Sequence, residues 1–250
     1  MWNFITFFEN MQDLSISLDI IRLISGIIIL SYASYTDIKT RRASNYLWLI
    51  LAIIGVILLI IQYFTIGFNG NEMQLIFIPI MIGLVYVLFQ LRLIFGGADA
   101  KALMAIAILV PLQPIIFDYP IFGISLMPSA WTIFSNSIII FLFIPISLFM
   151  FNAIKLNIKF PYCFLGYKMN IQKAKEKFVW PLEKIVDGKR KFVYMPKEFD
   201  VDEEIKELEN AGIKEIWVTP KIPFMIPLLI GFILTFILGD ILFYLMGILV

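Results

Sequence analysis

Apolar residues run through this chain in long blocks, broken by short polar segments, rather than in alternating stripes. Six blocks are close to the roughly 20 residues that carry a helix across a hydrocarbon core of about 30 Å. They run from Asp19 to Thr36, Tyr46 to Ile66, Met73 to Phe95, Ala98 to Phe117, Trp131 to Asn152, and from Pro223 to the end. The sixth is longer than a straight crossing needs, which reads as tilt or an interfacial tail. Ahead of the first block, Trp2, Phe4, Phe7, Phe8 and Met11 recur at near-helical spacing, with no Lys or Arg up to Ser17. That pattern predicts an interfacial helix and, without a basic leading region, no cleavable signal peptide.

The pattern changes between the fifth and sixth blocks. Lys155 to Pro220 is polar, and its "FVWPLEKIVDGKRKFVYMP" predicts two strands around an Asp187-Gly188 turn. Asp200 with Glu203 has the form of a capping box, Gly212 reads as a helix stop, and "IKEIWV" returns as a strand. Val201, Ile205 and Leu208 give the helix one apolar stripe, enough for a minimal core. The fold class is thus a polytopic α-helical membrane protein, with six transmembrane helices and a small cytoplasmic α/β insert between helices 5 and 6. Its parts are residues 1–153, a membrane domain; 154–221, the soluble insert; and 222–250, the sixth helix.

Composition narrows the chemistry. Mean hydropathy is +0.90, and only 16% of residues are charged, which excludes an ordinary soluble domain. There is no histidine and a single cysteine, Cys163, so serine–histidine and cysteine–histidine catalysis, a His-ligated metal and an intrachain disulfide are all excluded. No metal or cofactor is expected. The net charge of +1 says little, but its distribution orients the bundle. Lys39, Arg41, Arg42, Arg92, Lys101 and the basic residues from Lys155 to Lys221 all fall on one side of a six-span threading, and only Arg22 falls on the other. The positive-inside rule then places the insert in the cytoplasm and both termini outside. Basic residues of the insert are offset by its acids, which suits a solvated face near anionic lipid and not a nucleic-acid platform.

That threading brings Asp37, after the first span, and Asp99, at the head of the fourth, to one membrane depth on the cytoplasmic side. Asp19 and Asp118 belong to the outer edge. Asp240, about 16 residues into the sixth span and roughly 24 Å along it, lies towards the outer leaflet, so its "GD" is set aside. Two carboxyl groups brought together at a low-dielectric boundary cannot both ionise cheaply and share a proton. Such a pair can hydrolyse a peptide bond, one group taking a proton from water while the other polarises the carbonyl. Gly96 and Gly97 would let the backbone turn sharply and approach a substrate. Lys101 reads as snorkelling to phosphate. Taken singly, Asp99 reads equally as a helix N-cap, and "TDIKTRRASN" as a solvated loop with topology-setting arginines.

These stretches resemble a known family, the GxGD aspartyl membrane proteases, and within it the prepilin and archaeal preflagellin peptidases. "DIKTRRASN", Asp37 to Asn45, is similar to the D-x-x-x-x-R-x-x-N segment after the first catalytic aspartate. "GGADAK", Gly96 to Lys101, is similar to G-x-G-D-x-K around the second, with Ala98 in place of the second glycine. "KIPFMIPLLIGF", Lys221 to Phe232, resembles the I-P-F-x-x-P segment that opens the last helices. The Ala98 departure leans towards the archaeal members. The resemblance implies a catalytic pair, Asp37 and Asp99, supported by Gly96, Gly97, Ala98, Lys101, Arg42, Asn45 and Pro223. It implies as substrate a preflagellin or related precursor, whose basic leader stays in the cytoplasm while its hydrophobic helix lies in the bilayer. Prepilin-like precursors share that logic. Two readings from other classes stand beside it: a small proton- or cation-coupled transporter using the same acids, and a structural membrane subunit whose insert recruits a partner. No oligomeric state is legible.

Overall fold

The computed structural model describes residues 2–249 except 69, 92, 94–95, 126, 187 and 194–200, with the backbone alone at 2–10 and 249. In chain order the helices are α1 (Trp2–Thr40), α2 (Asn45–Thr65), α3 (Phe77–Gln90, led by a 3-10 turn at Glu72–Ile76), α4 (Gly97–Leu109), α5 (Ser129–Ile154), α6 (Tyr162–Leu165), α7 (Ile171–Glu176), α8 (Val201–Asn210), α9 (Met225–Ile237) and α10 (Ile241–Leu249). The strands are β1 (Tyr167–Asn170), β2 (Val179–Pro181), β3 (Glu183–Val186), β4 (Lys189–Phe192) and β5 (Glu215–Pro220). Two compact units result, residues 1–141 with 223–250, and residues 142–222. Arg92, Asp187 and Asp200 lie outside the described residues.

Among the described residues, four helices are long and apolar enough to cross a membrane: Met11–Thr40, Asn45–Thr65, Glu72–Gln90 and Ser129–Ile154. The bent pair of α9 and α10 makes a fifth if counted as one span. This is a multi-pass membrane protein. The expected separate interfacial helix is instead the start of α1, which runs unbroken for roughly 58 Å at 1.5 Å per residue, since no Gly or Pro interrupts it before Gly26.

The fourth block ends as a helix at Leu109 rather than Phe117, because Pro111 and Pro114 lack the N–H groups a helix needs and push the preceding residues out of helical geometry. About 20 Å of helix is too short to cross alone. The chain continues from a fully buried Val110 with ψ 73°, non-helical backbone that is tolerable at depth because protein covers it. Around it α4 packs on α2 and α3, and α1 packs on α2 and α9. The α2–α4 contact is close: a Cβ on Gly55 would stand 2.7 Å from the Cα of Leu109.

The sixth block is not one continuous helix; it breaks. Gly239 adopts φ 89°, and α10 leaves α9 at 63°. A break in apolar surroundings exposes backbone groups that must be paired. Ile121 and Phe122 donate their N–H groups to the carbonyls of Ile237 and Leu238 at 2.9 and 3.0 Å. Asn136, fully buried on α5, donates to Gly239 O and Thr235 Oγ1 and accepts from Ile241 N–H. Asp240 caps α10 by accepting from Phe243 N–H at 2.9 Å, and its other oxygen accepts from Ser125 Oγ at 2.8 Å. The "GD" dipeptide is therefore a helix restart. Asn136→Ala would orphan several of these groups and is expected to destabilise the protein by about 1–3 kcal/mol per orphaned group, read as a lowered melting temperature in detergent.

Arg22 is also buried. It pairs with Asp19 at 2.7 Å and donates to Gln62 Oε1 at 2.6 Å, while Asp19 accepts from Ile115 N–H. A buried charge is retained only when so paired.

In the second unit β5 is the central strand, antiparallel to β1 and β2, and β3–β4 is a separate hairpin in the expected register. Ile205 and Leu208 of α8 are buried with Ile216 and Val218 of β5, which makes the apolar stripe a core. Glu183, 1% exposed, is held by Arg190 and by Trp217 N–H.

Candidate active site

The nine residues "DIKTRRASN" fold as a helix end, a reversal and a helix start. Asp37 lies in the last turn of α1, inside the helix and not after it. The turn is closed by Arg41, whose N–H returns to Asp37 O at 3.0 Å with φ 57°, a left-handed conformation that ends the helix. Three residues later Ser44 caps α2, its side chain accepting from Tyr46 N–H, and Asn45 opens that helix. The first motif thus fixes how α1 hands over to α2.

"GGADAK" opens α4. Gly96 is its N-cap residue, with φ −89° and ψ 114°, and Asp99 sits in the first turn. Neither Gly96 nor Gly97 holds the positive φ that a sharp turn would demand. The need for Gly96 is space: a Cβ there would run into the Asp99 carboxylate, which folds back over the cap. At Gly97 a Cβ would make only ordinary contact, 3.7 Å from the Phe89 ring.

The two motifs meet. Asp37 is close enough to Asp99 for its charge to act directly on that carboxyl, and both side chains are half-buried. Lys101 does not simply snorkel: its ammonium donates to Asn45 Oδ1 at 2.8 Å, tying the start of α4 to the start of α2. Behind Asp37, Ser34 Oγ donates to Met225 O at 3.1 Å, so the first turn of α9, which follows Pro223, is anchored to α1 one turn from the aspartate. Pro223 itself lies before the helix and touches neither acid directly in any described hydrogen bond.

Arg41, and not Arg42, is the basic group whose charge acts on Asp37. Arg42 is exposed and lines a cleft of about 470 Å³ with Tyr32, Thr36, Thr40 and Asn45. Sequence spacing could not separate the two arginines; the left-handed turn at Arg41 does. Among the described residues no group of three or more His, Cys, Asp or Glu could hold a metal ion.

If the Lys101–Asn45 bridge holds the two helix starts in register, each of Lys101→Met and Asn45→Ala will slow turnover, and the double variant will be no slower than the worse single. That corresponds to a coupling of about 1 kcal/mol. Losses that simply add would remove the bridge as the link.

Comparison with known proteins follows the same motifs. The profile of the type IV leader peptidase family matches residues 24–156, and that of the archaeal peptidase A24 C-terminus, type II, matches residues 158–241. The preflagellin peptidase of Methanococcus voltae is 30% identical over 235 residues, covering 86% of this chain and 94% of that protein. The preflagellin peptidases of Methanococcus maripaludis and Methanocaldococcus jannaschii are 29% and 28% identical, each over 88% of this chain and 96% and 94% of their own. Covering the helices that carry both aspartates as well as the segment that follows, these matches make the chain a member of the type IV leader peptidase family.

Proposed function

We propose that this chain is a membrane aspartyl endopeptidase that removes the leader peptide of preflagellins at the cytoplasmic boundary of the cell membrane. The observation that supports the reading is that the charge of Asp37, in the last turn of α1, acts on the carboxyl of Asp99, in the first turn of α4. The preflagellin peptidases that match over most of the chain supply the substrate class. A prepilin-like precursor is the alternative substrate within the same chemistry.

In the proposed reaction the two carboxyl groups hold one proton between them. The ionised group takes a proton from water, whose oxygen attacks the scissile carbonyl carbon while the protonated group donates to the carbonyl oxygen. Collapse of the tetrahedral species breaks the C–N bond: the carboxyl group that gained the proton passes it to the leaving amine, and a hydroxyl of the tetrahedral carbon returns its proton to the other carboxylate as the carbonyl re-forms. Atoms and protons balance without a metal or a covalent intermediate. The chain crosses the membrane six times in this reading, the fourth crossing being completed by the extended residues after Leu109. Both termini lie outside, and the 154–221 insert is cytoplasmic. The substrate's apolar helix then shares the bilayer with the enzyme, its basic leader remains in the cytoplasm, and the scissile bond falls at the depth of the dyad.

The test is cleavage of a preflagellin by the purified chain in membranes, with a chelator present. Cleavage at full rate under chelation is the expected result. Loss of activity restored by a divalent ion would remove the two-carboxylate mechanism, and a precursor left uncut would direct the assay to prepilin-like substrates.

A further inference from the structure

Four large apolar side chains at and just beyond the end of α5, the end that the proposed topology places on the cytoplasmic side, are largely exposed. Ile154, Leu156, Ile158 and Phe160 are 82%, 88%, 61% and 81% exposed. The positions between them are engaged with the chain: Lys155 lies 4.2 Å over the Phe151 ring, Asn157 donates its N–H to Asn152 O, and Lys159 lies 4.7 Å over the Tyr162 ring. The two lysines, themselves exposed, lie against rings of the chain, while Ile154 and Leu156 are left the most open of the four apolar side chains.

The backbone gives an independent sign. α5 closes with Asn157 N–H on Asn152 O at 2.9 Å and Leu156 N–H on Ala153 O at 3.1 Å, and Leu156 holds φ 54°. That pair of bonds ends a helix through a left-handed residue, a position that favours glycine because a Cβ is crowded there. A leucine is strained at this point, and its exposed side chain gains no contact inside the protein in return.

The setting identifies the occupant. α5 is apolar enough to span a membrane and ends at Ile154, so the stretch begins where the helix leaves the hydrocarbon. Lysines alternating with large apolar side chains suit the headgroup boundary, with methyl groups and rings among acyl chains and ammonium groups at phosphate. Phe160 packs edge-on against Phe164, which stacks on Phe149, an aromatic group of the kind that collects at membrane interfaces.

We propose that residues 154–160 are a lipid-interface wedge. The four apolar side chains enter the acyl boundary of the cytoplasmic leaflet, Lys155 and Lys159 face its phosphates, and the unit of residues 142–222 is thereby held at a fixed height on the bilayer.

The test uses nitroxide labels on the full chain, one copy per anionic lipid nanodisc. Buried Cys163 is replaced by alanine, in a background accepted only if its melting temperature is unchanged. Labels are placed at Leu156→Cys and Phe160→Cys, with Glu207→Cys on the exposed side of α8 as the aqueous control. Labels at 156 and 160 are expected to collide more with oxygen than with a water-soluble nickel chelate, and the label at 207 to show the reverse. A water-like ratio at 156 and 160 overturns the proposal, and so does shielding from both reagents, which would mean that protein covers the stretch. Leu156→Gly relieves the backbone strain, so the fold survives, while oxygen collision at 160 falls; an unchanged value removes Leu156 as the anchor.

Discussion

Asp37→Asn and Asp99→Asn are each expected to lower precursor cleavage by roughly 10³-fold or more, with melting temperature close to that of the parent. Asparagine matches aspartate in shape but can neither take a proton from water nor give one to a leaving amine. The half-buried positions of both side chains mean that the substitution removes no core packing. Asp240→Asn is the control that separates chemistry from structure. Its amide oxygen can still accept from Phe243 N–H, and the Ser125 hydroxyl can rotate to accept from the new NH₂ group instead of donating. Cleavage should therefore persist at close to the parent rate. The assay is gel-resolved conversion of a preflagellin in membranes, with folding checked by thermal melting of each variant. Parental rates in both dyad variants would sink the two-carboxylate reading. Loss in the Asp240 variant with an unchanged melting temperature would mean that the restart of α10 bears on the chemistry.

The parts of this molecule legible in the sequence are those decided locally. The second, third and fifth spans are apolar blocks whose ends are marked by polar residues, and Ser44 caps α2 where such a residue should stand. The hairpin after Glu183 and the stripe of Ile205 and Leu208 follow from alternation and helical spacing. The fourth and sixth apolar blocks are less legible because hydropathy does not register a broken backbone. The prolines after Leu109 were visible, but the break at Gly239 is sustained by Asn136 on α5, a long-range partner that no local pattern announces. At the candidate site the motifs themselves were legible. The reach of Asp37 to Asp99 and the bridge from Lys101 to Asn45 depend on how α1, α2 and α4 pack. Gly96 was singled out for backbone freedom, but its backbone is ordinary, and the constraint the structure shows there is the volume that a side chain would occupy.

That distinction gives the sharpest contrast between neighbouring residues. Gly96→Ala is expected to lower kcat by about 10²-fold with little change in KM, because its Cβ would occupy the place where the Asp99 carboxylate now lies. The obstacle is the free end of a side chain, so the backbone need not move and the protein should fold normally; Asp99 must swing to another rotamer, away from Asp37. Gly97→Ala differs by one position and has the opposite outcome. It lies in helical geometry at the start of α4, its Cβ would meet only the Phe89 ring at 3.7 Å, and alanine is a better helix former than glycine. Its rate should stay within a few-fold of the parent, a tolerance already exercised one residue on, where Ala98 stands at the second glycine of the G-x-G-D pattern. A steady-state comparison of the two variants on one precursor decides the matter. Equal losses would mean that both glycines serve backbone approach to substrate, whereas loss at Gly96 alone would mean that this glycine exists to make room for the carboxylate.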